Sequence, residues 1–303
     1  MNDRTWALSI GDNPSVVHWE LGPHFHFWDG DNGDGPPVPL FSSRHVNILD
    51  EKDSLVAYAR LKTIFRIVNG LSMLIRARRS YSLETLYCYK DDIMRDITIQ
   101  RDSTILLREL QNPFNEDITR EIDDQAKSYP WDKRYLQNYD YAELAVKDDL
   151  VREVILLLSL VVEDELYLLV NAYKILEIIR NDVGFKQKDG RLVENDISKA
   201  FPFENLFILQ GFAGYINNKG ASGILSRHGF SKNETKMDVP PYEDFIDIVV
   251  KSVSEWINYK CHLKFNRQYL TAKSLLRFEE FDVDHDFWDK MEKMFEERDK
   301  QRG

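Results

Sequence analysis

The chain contains 303 residues, of which 43% are hydrophobic and 30% are charged, with 17 Phe, 14 Tyr and 6 Trp. That content of large apolar side chains excludes a wholly disordered protein, and the length predicts about two domains at roughly 100–200 residues each. The formal net charge is −11, so non-specific attraction of nucleic-acid phosphates over the whole surface is disfavoured.

Cysteine usage and hydropathy indicate a cytoplasmic protein. Cys88 and Cys261 are far apart and belong to no spacing that closes a metal site, which favours a reducing compartment. The longest apolar run, 154–162, is well short of the roughly 20 residues that span a bilayer. The first residues lack the basic start and apolar core of a secretion signal. We therefore expect no membrane segment, no metal and no other cofactor.

Short strands are predicted in the first fifty residues. Branched and aromatic residues are concentrated in 6–10 and 16–21, and the turn sequence Gly-Asp-Asn-Pro between them predicts a hairpin. Apolar and polar residues then alternate over 24–28, as in a half-buried strand. A break rich in Gly and Pro covers 29–37, and another strand is expected to begin at Val38.

A change of hydrophobic period near Asp50 predicts one long helix over 52–77. Apolar residues recur there at steps of three and four, which places them on one helix face. Strands are predicted to follow at 83–89, 94–100 and 104–107. The first unit is therefore expected to be a β-rich domain, 1–111, in which this helix covers a small sheet.

The second half is predicted to be mainly α-helical. The polar segment 112–138, with its Asn-Pro and Tyr-Pro pairs, is expected to be a surface connection. Helical spacing dominates 139–303, first over 141–161 and again from Leu166 to Ile179. A highly charged helix is expected at the carboxy-terminal end, from Asp286 to Arg302. The predicted fold class is α+β.

Several short motifs fail the spacing that their chemistry requires. Residues 29–35 alternate oxygen-bearing side chains as a calcium loop does, but Leu40 occupies the twelfth position, where a bidentate Glu is needed, so a hairpin turn is favoured. His24 and His26 would share a strand face, but two imidazoles without a third ligand favour ordinary sheet histidines. The sequence contains no phosphate-binding loop, dinucleotide fingerprint or zinc-protease motif.

The remaining candidate site pairs the helix around 166–182 with a glycine-rich loop. Arg227 and His228 stand side by side in that loop, and such a pair suits contact with a phosphate and proton transfer near neutral pH. In the alternative interpretation, Arg227 only ties the loop to acidic side chains and His228 caps a helix. The predicted catalytic residues are Arg227, His228, Glu177 and Tyr173. The predicted binding residues are Asn171, Lys174, Arg180 and Asn217.

The order of these motifs carries a resemblance to known proteins. Asn171-x-Tyr-Lys-x-Leu-Glu-x-Ile-Arg180, then Ser226-Arg-His-Gly229, then a Pro-Pro pair and an amphipathic helix resemble a group of uncharacterised bacterial proteins with a β-rich amino-terminal part. Their helical part is distantly similar to HEPN-like domains of toxin and defence proteins, many of which cut RNA without metal and act as dimers. In the HEPN signature the histidine follows the arginine by four to six residues, whereas here the two are adjacent.

Two function classes stay open from the sequence. The resemblance implies a metal-independent ribonuclease or toxin-type effector of a bacterial defence system, with RNA as its partner. In that role His228 would act as acid or base, Arg227 would contact the scissile phosphate, and Glu177 or Tyr173 would orient the loop. The alternative is a noncatalytic interaction or scaffold protein, with a protein partner or a second copy of the chain.

Overall fold

The computed structural model describes residues 4–11, 20–30, 37–75, 83–90, 93–98, 103–128, 133–163, 165–229 and 241–269. Most of the strand predicted for 16–21 and most of the loop 29–35 lie outside these residues. The helix predicted for 286–302 also lies outside them. Within the described part, the α+β class is confirmed.

An antiparallel sheet occupies the amino-terminal part. Its five strands have the order β2-β3-β1-β4-β5, and Trp6 of the central strand pairs with Cys88. The strands are β1 (Arg4–Ile10), β2 (His26–Gly30), β3 (Val38–Ser42), β4 (Leu83–Lys90) and β5 (Ile93–Ile97). The central strand is buried along Trp6 to Ile10, where it lies between β3 and β4 and contacts α1 and α2.

The predicted long helix is present. A short helix α1 (Arg44–Asn47) and a 3-10 turn (Glu51–Asp53) precede it, and α2 runs from Ser54 to Ile75. Every residue from Ile67 to Leu74 is buried, so α2 is covered on all sides there and not on one face only. The sequence predicted that α2 packs on the sheet through one face. In the structure, helices α5, α6 and α12 of the second half also pack against α2.

The second half is mainly helical, as predicted. The longer helices described after β5 are α3 (Ser103–Glu109) and α4 (Glu116–Ser128), and then, within 139–303 or at its start, α5 (Leu136–Lys147), α6 (Asp149–Glu163), α7 (Leu168–Asp182), α9 (Glu204–Gly211) and α12 (Tyr242–Phe265). Three short helices complete it, namely α8 (Asp196–Ala200), α10 (Ala213–Asn217) and α11 (Lys219–Ser222). The single helix predicted for 141–161 is divided at Asp148. Asp148 Oδ1 accepts hydrogen bonds from the backbone N–H groups of Leu150 and Val151 and so caps the amino-terminal end of α6.

One local prediction was wrong, and two elements were not predicted. The strand predicted for 104–107 is the helix α3, which packs on α2 and is anchored by the Arg60–Glu109 ion pair at 2.8 Å. The connection 112–138 contains the helix α4 and buries Ile122. A hairpin of β6 (Lys186–Lys188) and β7 (Arg191–Val193) was not predicted.

Buried apolar residues of both halves belong to one hydrophobic cluster, which extends from Trp6 to Cys261. The boundary predicted between 1–111 and 139–303 stays a prediction. Both cysteines are buried and free. Among the described helices, none combines the length and the apolar content that a membrane crossing requires.

Gly70 marks the closest approach of α2 to α6. A Cβ atom placed on Gly70 would lie 2.3 Å from the carbonyl oxygen of Ile155 and 2.6 Å from its Cγ2. Real contacts are never that short, and the obstructing atom is helix backbone, which has little freedom to move. The glycine therefore sets the distance between the two helices.

We predict that Gly70→Ala destabilises the protein by about 1–3 kcal/mol, because overpacking exceeds the gain in helix propensity. The melting temperature is expected to fall by several degrees in a calorimetric or fluorescence scan. Gly211→Ala is the matched control, since a Cβ there meets nothing within 4 Å. Equal melting temperatures for the two variants would contradict the packing of α2 on α6.

A buried carboxyl joins α12 to the start of α9. Glu255 is 8% exposed and accepts hydrogen bonds from Asn205 Nδ2 at 2.6 Å and from the Asn205 backbone N–H at 3.3 Å. Burial raises the pKa of Glu255 to about 7, although the bonds from Asn205 act in the opposite direction. In the unfolded chain the pKa of this carboxyl returns to about 4.5.

We therefore predict a loss of stability as pH rises from about 4.5 to 7, because the folded state binds the Glu255 proton more tightly than the unfolded state does. The contribution is of the order of 1–3 kcal/mol. Urea unfolding is measured at pH 5 and at pH 7.5. The free energy of unfolding is expected to differ less between the two pH values for Glu255→Gln than for the parent chain. Glu153→Gln, at an exposed position of α6, is the control and is expected to leave the difference unchanged.

Candidate functional site

The helix α7 presents three of the predicted site residues on one face. Tyr173, Glu177 and Arg180 are spaced by four and three residues, so they form a stripe along the helix. Tyr173 and Glu177 are half-buried, and Arg180 lies one turn beyond Glu177. Asn171 lies roughly on the opposite side of α7, because each residue advances the helix by about 100°.

Arg227 extends onto this stripe from the loop after the 3-10 turn Gly223–Leu225. Its guanidinium carbon is 4.0 Å from the centroid of the Tyr173 ring, and its Nη1 is 3.8 Å from Glu177 Oε1. The first contact is a close cation–π interaction, whereas the second is an ion pair without a hydrogen bond. The Arg227 backbone N–H donates to Ile216 O at 2.9 Å and fixes the loop against α10. The structure thus joins Arg227, Tyr173 and Glu177.

His228 follows Arg227 and is exposed to solvent. Its backbone N–H donates to Ser226 Oγ at 3.2 Å, and among the described residues its imidazole forms no hydrogen bond, ion pair or ring contact. The ring is therefore accessible to a ligand beside Arg227, although nothing on α7 orients it. The helix-capping role considered in the alternative interpretation has no counterpart among the described helices.

The four predicted binding residues occupy different environments. Lys174 is exposed and Arg180 half-buried on α7, where both are available to an anion. Asn217, at the end of α10, has a buried Oδ1 without a hydrogen-bond partner in the described residues. Asn171 is only 4% exposed and its Nδ2 is likewise unpartnered in that part of the chain, but its position faces the core. The structure does not bring Asn171 to Arg227.

The charge around Arg227 differs from that of the whole chain. We define the Arg227 surface as the exposed or half-buried residues Tyr173, Glu177, Arg180, Arg227 and His228. Lys219, whose Nζ donates to Gly229 O at 2.8 Å, adds a cation beside the loop. Among the side chains described at this surface, Arg180, Arg227 and Lys219 accompany the carboxylate of Glu177, on a chain with a net charge of −11. The excess favours an anionic ligand at this surface.

Three exposed apolar residues lie next to the Arg227 surface. Leu166 and Tyr167 are each 53% exposed just before α7, and Ile224 is 87% exposed in the 3-10 turn. The segment Glu165–Tyr167 contacts Gly223–Leu225, so these side chains belong to one region. Such a group is more typical of a contact surface than of a solvated loop.

The sequence interpretation of His24 and His26 was wrong. β2 begins at His26, which is exposed, whereas His24 lies in the turn before the strand and is buried at 3% exposure. The two rings therefore do not share a sheet face. His24 Nδ1 is instead 2.9 Å from Nε2 of His45. Sequence spacing carried no signal for this pair, because 21 residues and two strands separate its members.

Among the described residues, no group of three or more His, Cys, Asp or Glu side chains is arranged to hold a metal ion. Comparison with models of protein families, with curated proteins and with solved structures found no match to this chain. The similarity to HEPN-like domains therefore stays a prediction.

We predict a favourable coupling between Arg227 and Tyr173. A double-mutant cycle with Arg227→Ala and Tyr173→Leu is expected to give an interaction energy of about 0.5–1 kcal/mol, the range for a partly exposed cation–π contact. Tyr173→Phe is the control, since it keeps the ring and is expected to preserve the coupling. Additive effects of the two substitutions in chemical unfolding would show that the guanidinium does not rest on the ring in solution.

Proposed function

We propose that the protein is a metal-independent ribonuclease of the HEPN-like kind, a toxin-type effector of a bacterial defence system, and that the Arg227 surface is its site. The observation that carries this proposal is the position of Arg227, held between Tyr173 and Glu177 with an exposed histidine next to it. A fixed guanidinium and a free imidazole are the two groups that phosphodiester cleavage needs most.

Each residue has a definite role in this proposal. Arg227 keeps guanidinium N–H groups that Glu177 does not bind, and these would contact the non-bridging oxygens of the scissile phosphate. His228 would take the proton of the ribose 2′-hydroxyl as that oxygen attacks phosphorus, or give a proton to the departing 5′-oxygen. Tyr173 and Glu177 would act on Arg227 and not on RNA, because both already contact its side chain.

The predicted binding residues divide under this proposal. Lys174 and Arg180 are placed to contact neighbouring phosphates, since both are on the accessible part of α7. The unpartnered Oδ1 of Asn217 would accept a hydrogen bond from the ligand or the loop. Direct contact by Asn171 is not part of the proposal, because that side chain lies on the buried side of the helix.

We predict that His228→Ala abolishes cleavage of a fluorescently labelled single-stranded RNA while it lowers the melting temperature by at most a few degrees. The side chain is exposed, and removal of such a group costs about 0.5 kcal/mol or less. Arg227→Lys is expected to lower cleavage at least tenfold, because lysine keeps the charge and loses the planar pair of donors. The assay is run once with a chelator and no added metal, and once with Mg²⁺ and no chelator.

Lys188→Ala is the matched control, since it removes an exposed cation of strand β6 that is not part of the Arg227 surface. Its cleavage rate is expected to equal that of the parent chain. Undiminished cleavage by a folded His228→Ala protein would exclude the proposed acid–base role. The absence of RNA binding and cleavage in the parent chain would exclude the nuclease altogether.

A second candidate, a noncatalytic interaction protein, is favoured by the exposed group of Leu166, Tyr167 and Ile224. The contact of Arg227 with Glu177 also fits a purely structural role for the loop. Two measurements distinguish the candidate functions: the mass of the assembly by light scattering, and RNA cleavage by the parent chain. Loss of assembly in Ile224→Ser, together with no RNA cleavage by the parent chain, would support the interaction role.

A further inference from the structure

A cavity of about 270 Å³ lies on a different part of the molecule, between the turn before β2, the helices α4 and α5, and the residues after α12. It shares no lining residue with the Arg227 surface. Apolar groups such as Tyr139 and Phe265 form part of its wall, and the charged or polar residues that line it are His24, Asp123, Lys127, Asp140, Glu143 and Arg267. The volume is close to the lower end of ordinary ligand pockets, roughly 300 Å³.

Hydrogen bonds fix the proton positions on the two buried histidines behind this wall. The backbone N–H of Asn115 can only donate, and it lies 2.9 Å from His45 Nδ1, so that nitrogen accepts. Burial lowers the pKa of His45 to about 3, with the charge of Arg60 acting in the same direction. The ring is therefore neutral and carries its proton on Nε2.

That proton determines the tautomer of His24. His45 Nε2 is 2.9 Å from His24 Nδ1, and the ring planes differ by 8° with centroids 5.2 Å apart, which is the arrangement of an in-plane hydrogen bond. His45 donates and His24 Nδ1 accepts, so the proton of His24 is on Nε2. The Ser43 hydroxyl also donates to the His24 carbonyl at 2.8 Å and holds this turn in place.

The Nε2–H group of His24 has no hydrogen-bond partner among the described residues, although the side chain is only 3% exposed. Its nearest acceptor is Glu143 Oε2 at 3.7 Å, beyond hydrogen-bond distance. Burial works against ionisation of Glu143, but contacts with His24 and Lys147 outweigh it and hold its pKa at about 2. Lys147 binds the other oxygen, Oε1. The donor His24 Nε2–H and the acceptor Glu143 Oε2 thus line the same cavity, and each can form one further hydrogen bond.

We propose that this cavity binds a small neutral polyol of monosaccharide size, one hydroxyl of which accepts from His24 Nε2–H and donates to Glu143 Oε2. A hydroxyl oxygen about 2.8 Å from each atom fits the 3.7 Å between them. A carboxylate or phosphate at this position would be repelled by the ionised Glu143, and an ammonium group cannot accept from His24. Only a group that both donates and accepts satisfies the pair.

A second hydroxyl contact is available on the same wall. Arg267 donates through Nε and Nη2 to the two oxygens of Asp140, at 2.6 and 2.5 Å. Its Nη1 has no partner in the described part of the chain, and the side chain is 41% exposed. A ligand with several hydroxyls can therefore bind His24, Glu143 and Arg267 at once, while its carbon atoms contact Tyr139 and Phe265.

The experiment uses the full chain labelled with ¹⁵N and titrated with D-glucose, D-ribose and glycerol. Without ligand, the imidazole spectrum is expected to show His24 and His45 both protonated at Nε2. At least one probe is expected to shift the His24 resonance with saturation. Glu143→Gln is expected to weaken that binding about 10- to 100-fold, the effect of losing a hydrogen bond to a charged group. Arg267→Gln is expected to weaken it by a smaller factor.

Arg227→Ala is the control and is expected to bind the probe as the parent chain does, which separates this site from the proposed ribonuclease. Glucose 6-phosphate is expected to bind at least tenfold more weakly than glucose. The proposal is overturned by a His24 proton on Nδ1, by the absence of saturable binding of all three probes, by preference for the phosphorylated sugar, or by unchanged affinity in a folded Glu143→Gln protein.

Discussion

The burial of α2 on every side from Ile67 to Leu74 is the constraint on which the remaining packing depends. A helix with apolar residues all round can be stable in water only if other elements cover all of it. The sheet and α1 cover one part of α2, and α3, α5, α6 and α12 cover the rest. Gly70 allows α6 to approach until backbone nearly touches backbone. The two halves of the chain therefore share one core.

One group of polar side chains inside this core joins distant elements. Asp182, at the end of α7, accepts from Trp256 Nε1 at 2.8 Å and from Lys260 Nζ at 3.1 Å. Lys260 also lies 2.9 Å from Asp148, the residue that begins α6. One cation thus connects three helix segments, and loss of either carboxylate would leave a half-buried charge poorly compensated. Such links specify how the helices are arranged, which apolar contacts alone do less well.

The sequence predicted the elements whose period is long and clear. The helix α2 and the strands β1, β3 and β4 follow from spacing and composition, but Ser103–Glu109 does not, because a run of three aliphatic residues fits a strand as well as a helix. The hairpin β6–β7 did have a signal in Asp189-Gly190, both with φ above 50°, as a tight hairpin turn requires. For the site, helical spacing brought Tyr173 and Glu177 together. Contacts such as Asn115 to His45 span 70 residues and depend on the folded core, so no local pattern could indicate them.

The close contact of Gly70 with Ile155 has a consequence during synthesis on the ribosome. About 85 residues separate the two positions, and α12 follows roughly 100 residues later still. At about 5–20 residues per second, α2 leaves the ribosome several seconds before its cover exists. For that interval a helix with apolar side chains on all faces is exposed to other nascent chains, and sheet strands alone can shield only part of it. The buried residues Ile67–Leu74 therefore lack the cover of α6 until about half of the chain has been translated.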